Sequence, residues 1–212
     1  NEAGYISARG TPQPGISVPF APPRSDGVQY SESRSGLFGS SGLAGVWAEE
    51  NTRESIFDAF RRKETFATTG PHMRVRFFAG YDYPDDFLAE SDMIAIAYAD
   101  GVAMGGELVS PGDRIPRFLL WATRDPASAP LARIQVIKGW MQDGDAHEQV
   151  YDAVCSDGLV VDPMTHRCPD NGARVNVADC SITEDAGDAE LLTLWTDPDF
   201  DPSVRAIYYL RV

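Results

Sequence analysis

The sequence predicts an α+β protein that is mainly β: an antiparallel, Ig-like β-sandwich with one or two flanking helices. Three observations predict it. Short apolar or alternating runs recur through residues 73–212 with turn residues between them, as in antiparallel sandwiches. Glycine and proline number 19 and 15, which suits frequent turns. Helical spacing of apolar residues is confined to two stretches, near 52–63 and 84–99.

Residues 1–36 form the first segment. Pro12, Pro14, Pro19, Pro22 and Pro23 stand among few large apolar groups, and the segment reads as extended chain lying over another surface. Residues 37–72 follow as a strand–helix unit. Leu43, Val46 and Trp47 make a short apolar run between glycines, as a buried strand does. Asn51 then stands where an N-cap belongs, and Glu54 lies three residues on, at capping-box spacing. Ile56, Phe57 and Phe60 put one apolar face toward a core. Glu49, Glu50 and Glu54 at the start and Arg61, Arg62 and Lys63 at the end suit the helix dipole, at about 0.3–1 kcal/mol per exposed charge. Gly70-Pro71 ends the unit.

Residues 73–212 hold the sandwich. Met73 to Phe78 alternates apolar groups with Arg74 and Arg76, as a half-solvated strand does. Pro84 to Ala99 reads as one helix, with proline in the first turn and Gly101 stopping it. Strands follow at 118–122, 131–137, 149–154, 191–195 and 206–212, and Asp143-Gly144-Asp145 reads as a hairpin turn. The chain begins at Asn1 rather than methionine, and its last strand runs to Val212 without a polar tail. Both features lead us to expect a processed or truncated chain.

A net charge of -14 argues against nucleic acid and anionic membrane surfaces as partners, since both select basic patches. No apolar run approaches the ~18 residues of a membrane span.

Cys155, Cys168 and Cys180 share one polar, Asp/Gly/Pro-rich segment. A Cys155–Cys168 disulfide would close a short loop, worth ~3 kcal/mol by loop entropy. It would place the protein in an oxidising compartment, periplasmic or secreted, with Cys180 left over. Cys168–Cys180 is the competing pair. A zinc site from Cys155, His166 and Cys168 is a third reading, but it lacks a fourth ligand and a C-x-x-C pair.

Catalytic motifs are scarce. His72, His147 and His166 share no H-x-H spacing, so no metal site is expected from this chain. Gly39-Ser40-Ser41-Gly42 lacks nucleophile-elbow spacing and reads as a turn. Asp197-Pro-Asp-Phe-Asp201 opens like a calcium loop, but it has no glycine at the sixth place, and Tyr208 stands where the bidentate glutamate belongs.

The run GLAGVWAEENTRESIFDAFRRKETFATTGPHMRVRFFAG at residues 42–80 resembles a bacterial family, domain-of-unknown-function family 3604. Tyr98-Ala-Asp-Gly-Val-Ala-Met-Gly-Gly-Glu-Leu108 and Arg167-Cys-Pro-Asp-Asn-Gly-Ala173 are similar to that family as well. The resemblance covers residues 36–212, and residues 1–35 carry none of its motifs. Members look like relatives of the PHP (polymerase and histidinol phosphatase) metallohydrolases. The resemblance therefore implies a longer exported protein with a PHP-like (β/α) barrel, a divalent metal and a small-molecule or phosphoester substrate. Residues 37–72 would be a remnant of that barrel, and the chain's partner would be the remainder of the protein. The metal-binding motifs of such barrels have no counterpart in this sequence, so no cofactor is expected here and the chain alone is expected to be inactive. Loops that follow barrel strands lie on the catalytic face, which makes Trp47, Glu49, Glu50 and Arg53 candidates for lining a substrate cleft. Simple helix capping accounts for the same carboxylates. The alternative function is an independent β-sandwich module that binds carbohydrate or a protein partner through Trp121, Trp140 or Trp195.

Overall fold

The computed structural model describes residues 42–109 and 111–212. The extended stretch expected over 1–36 and the turn expected at Gly39–Ser41 lie outside the described residues. The described residues fall into two compact units: residues 42–44 with 67–72, and Gly45–Phe66 with Met73–Val212. In the described part of the first, the Thr68 N–H donates to the Leu43 carbonyl at 2.8 Å, and the Leu43 N–H donates to Thr68 Oγ1 at 3.0 Å.

Strand β1 (Ala44–Val46) and strand β2 (Thr65–Ala67) form a two-stranded sheet, and helix α1 (Arg53–Arg62) lies between them in sequence. Leu43 bonds to Thr68 and the Trp47 N–H donates to the Glu64 carbonyl at 3.0 Å, so the two strands run antiparallel. A strand–helix–strand unit of a (β/α) barrel is parallel. The described residues form no barrel, and residues 42–72 form this antiparallel strand–helix–strand unit.

Helix α1 begins one residue later than its expected cap. Thr52 is the N-cap: its backbone is extended, and its hydroxyl accepts from the Ser55 N–H at 3.3 Å. The Ser55 hydroxyl in turn accepts from the Glu50 N–H at 3.2 Å. Two hydroxyls thus cap the helix entry through the Ser55 and Glu50 N–H groups, in place of the reciprocal Asn51–Glu54 bonds expected there. At the other end Lys63 takes a left-handed backbone with φ 62°, and its N–H caps the Ala59 and Phe60 carbonyls. The buried side of α1 also differs from expectation. Ala59 is fully buried, whereas Phe57 and Phe60 are 59% and 51% exposed. Helical spacing creates an apolar stripe, but the neighbouring elements decide which stripe is covered, and here the helix presents its smallest side chain inward.

The sandwich has a four-stranded sheet, ordered β4-β3-β5-β8, and a three-stranded sheet, ordered β7-β6-β9. Its strands are β3 (Arg74–Gly80), β4 (Gly101–Ala103), β5 (Arg117–Thr123), β6 (Arg133–Gln142), β7 (Asp145–Cys155), β8 (Glu190–Thr196) and β9 (Ala206–Arg211), and every pairing is antiparallel. β6 and β7 extend well beyond the runs expected for them and meet at the foreseen Asp143-Gly144 turn, where both residues have positive φ. β4 was not foreseen, because Gly101 was read only as a stop.

The core has two parts. Phe118, Leu120 and Ala122 of β5 face Ile134 and Val136 of β6 between the sheets. Phe78 of β3 and Leu119 of β5 face the other way, against Tyr83, Phe87, Met93 and Ala97. Because β5 is covered on both faces, it reads as the unbroken run Phe118-Leu-Leu-Trp-Ala122 rather than alternating. The covering layer is not the single helix expected at 84–99. A 3₁₀ turn at Phe87–Ala89 and helix α2 (Met93–Asp100) are separated at Glu90, whose backbone is extended. Glycine is required where α2 runs directly into β4: a Cβ on Gly101 would meet Tyr83 Oη at 2.1 Å and the Ala79 carbonyl oxygen at 2.6 Å.

Candidate functional site

The four candidate cleft residues lie between the end of β1 and the first turn of α1. Trp47 is a wall. Its indole N–H donates to the Val75 carbonyl at 2.8 Å, and the Arg76 guanidinium lies 3.7 Å from its ring centroid. Glu49, Glu50 and Arg53 are exposed at the entry to α1. Beside Trp47, Glu64 is buried and accepts from Arg62 and from the Tyr98 hydroxyl, both at 3.4 Å. Tyr98 opens one of the motifs that carry the family resemblance. Burial first, then the Glu64 charge, raises its phenol above the ordinary value.

Cys155 and Cys168 are joined by a disulfide with Cα atoms 5.6 Å apart, and Cys180 is an exposed free thiol. The competing Cys168–Cys180 pair is excluded, and Cys155 and Cys168 are not zinc ligands. The disulfide closes a loop beside β7 that also encloses Asp152, whose side chain is 0% exposed. Asp152 accepts from the Cys168 N–H at 2.7 Å, Gln135 Nε2 at 2.6 Å and Arg133 at 3.0 Å. Burial alone would raise this carboxyl, but those hydrogen bonds outweigh it and hold Asp152 below the usual carboxylate range. A β-bulge helps to place it: Ile134 pairs with Val154 and Gln135 with Asp152, so Ala153 is the extra residue.

The second buried charge cluster lies between the sheets, at the middle of β6. In the inward series Ile134, Val136, Lys138, Trp140, a lysine takes an apolar place. Its side chain is 7% exposed and that of Asp197 is 0% exposed. Lys138 Nζ donates to Asp197 Oδ2 at 2.6 Å and to the Asp199 carbonyl at 2.7 Å. The Tyr208 hydroxyl donates to the same Asp197 Oδ2 at 2.8 Å, the Asp199 N–H donates to Asp197 Oδ1 at 2.9 Å, and the Tyr151 hydroxyl donates to Asp199 Oδ2 at 2.8 Å. Burial first, then hydrogen bonds to the carboxylates, pushes both phenols above their ordinary value, so they remain donors. Phe118, Trp195, Tyr208 and Tyr151 form a chain of ring contacts beside the pair. In the loop that resembled a calcium site, an ammonium thus stands where a cation would.

Sequence reasoning missed Lys138. The signal was present in the phase of the strand, because a charge on the buried phase of an alternating run requires a partner. The other candidates do not converge. His166 lies with its ring centroid 5.3 Å from that of Tyr151, and His147 stacks on Trp140 at 5.3 Å. Trp121 faces the helical layer, Trp195 faces the core between the sheets and Trp140 lies at the end of β6, so the three tryptophans build no common groove. A depression of about 160 Å³ lined by Pro130, Val175, Ile182 and their neighbours is small and mainly apolar. Among the described residues, no three or more His, Cys, Asp or Glu are grouped so as to hold a metal ion. These residues do not fit the divalent metal implied by the resemblance. No helix among them is long and apolar enough to cross a membrane.

No curated protein and no solved structure matches the chain. The model of one family, described as a protein of unknown function (DUF3604), matches residues 7–212. That span takes in nearly all of the Pro- and Gly-rich stretch in which no motif had been found. Three residues of those motifs make contacts within the fold: Cys168 forms the disulfide, Arg167 and Cys168 donate to Asp152, and Tyr98 donates to Glu64. By the extent of that match, the chain belongs to the DUF3604 family.

Proposed function

We propose that this chain is the accessory β-sandwich of a longer exported protein related to PHP-type metal-dependent phosphoesterases. In this reading it supports a catalytic part and turns over no substrate by itself. The observation that carries the reading is the use made of its buried charges. Lys138 with Asp197, Arg133 with Asp152, and Arg62 with Glu64 are each paired within the chain. Groups arranged this way hold a fold together and present no open coordination position or free nucleophile to a substrate. The disulfide suits an exported protein, and the family resemblance supplies the phosphoesterase connection.

The test is direct. The purified chain, incubated with manganese, zinc or magnesium and a chromogenic phosphomonoester or diester, is expected to show turnover no faster than the metal alone. Titration calorimetry with the same metals is expected to show no tight site. Metal-dependent hydrolysis that survives repurification and disappears with chelator would overturn the reading.

A further inference from the structure

We propose that Lys138 and Asp197 condense to an intramolecular amide that covalently ties the two sheets of the sandwich. The two residues lie 59 apart in sequence, one in β6 and the other just past β8. A bond between them would join the three-stranded sheet to the four-stranded one. Nζ already stands 2.6 Å from Asp197 Oδ2, with both side chains withdrawn from water. Positioning of this kind replaces a bimolecular encounter with an intramolecular one, for which effective concentrations reach roughly 10⁵–10⁸ M.

The surroundings supply what the step requires. Away from water, the ion pair loses the solvation that favours its charged form. One proton passes from Nζ to Oδ2, leaving a neutral amine facing a neutral carboxylic acid. The amine lone pair attacks Cγ, and charge develops on Oδ1, where the Asp199 N–H donates at 2.9 Å. A second proton passes from nitrogen to Oδ2, the Cγ–Oδ2 bond breaks, and Oδ2 leaves as water. The Tyr208 hydroxyl, 2.8 Å from Oδ2, supports the departing oxygen. The balance is one ammonium plus one carboxylate giving one amide plus one water, with no oxidant, activator or co-substrate. The buried position then shields the amide from hydrolysis. This inference stands apart from the accessory-domain reading and survives its failure.

The experiment is mass spectrometry of the purified chain under denaturing conditions. The intact mass is expected to fall one water below that of the sequence with one disulfide. After reduction, trypsin is expected to release a branched peptide joining Ile134–Arg167, uncut at Lys138, to Val175–Arg205. Lys138→Met is expected to abolish both signals. Tyr208→Phe, which retains the ring in the core, is expected to leave a measurable fraction unlinked after the native chain is complete. An unshifted native mass overturns the proposal. So does the loss of one water without a branched peptide, which would place the dehydration at an Asp-Gly pair such as Asp143-Gly144.

Discussion

Two carboxylates, Asp152 and Asp197, are each 0% exposed at the side chain and are each met by a cation, a backbone N–H and a further side-chain donor. Asp152 gathers a backbone N–H, a glutamine and an arginine, and these bonds lower its pKa. The sign follows from linkage. A carboxyl with a folded pKa below its unfolded value of ~3.9 stabilises the fold fully above that value and loses the contribution as acid protonates it in the native state. Urea midpoints are therefore expected to fall between pH 5.5 and pH 3, and part of that fall is expected to vanish in Asp152→Asn. An identical pH slope in the variant would remove Asp152 from this account. The residue was unremarkable in the sequence, since nothing in Val150-Tyr-Asp-Ala-Val154 announces which strand face a loop will cover.

At the scale of elements, the cap of α1 distinguishes local chemistry from local pattern. Asn51 and Thr52 are both good N-cap residues, and the spacing to Glu54 favoured the former. The structure uses Thr52, whose hydroxyl accepts from the Ser55 N–H, while the Ser55 hydroxyl accepts from the Glu50 N–H just before the cap. Thr52→Ala is expected to cost about 1 kcal/mol by chemical denaturation, and Asn51→Ala to cost well under half as much; the reverse order would restore the earlier cap. The split at 84–99 has a similar origin. Phe87, Met93 and Ala97 all reach the core, but an extended Glu90 is needed to bring them there. Apolar spacing could not show that one packed layer was made from two pieces.

For the molecule as a whole, β5 is the strand on which both halves of the core depend. Leu119 is fully buried against the helical layer. Leu119→Ala is expected to destabilise by ~2–5 kcal/mol, against under ~0.5 kcal/mol for Val177→Ala at an exposed site. Similar losses at the two positions would mean that the helical layer does not form part of the core. The sequence by itself indicated the longer strands, the β6–β7 turn and the family, because these rest on periodicity, turn chemistry and motifs that lie close together along the chain; the structure chose Cys155–Cys168 over Cys168–Cys180. Only the tertiary structure decided which side of α1 is buried, that β1 and β2 run antiparallel, and that Lys138 meets Asp197 while Asp152 meets Arg133. Those outcomes depend on which surfaces come together across long separations, and a buried charge takes whichever partner the packing brings within hydrogen-bond reach.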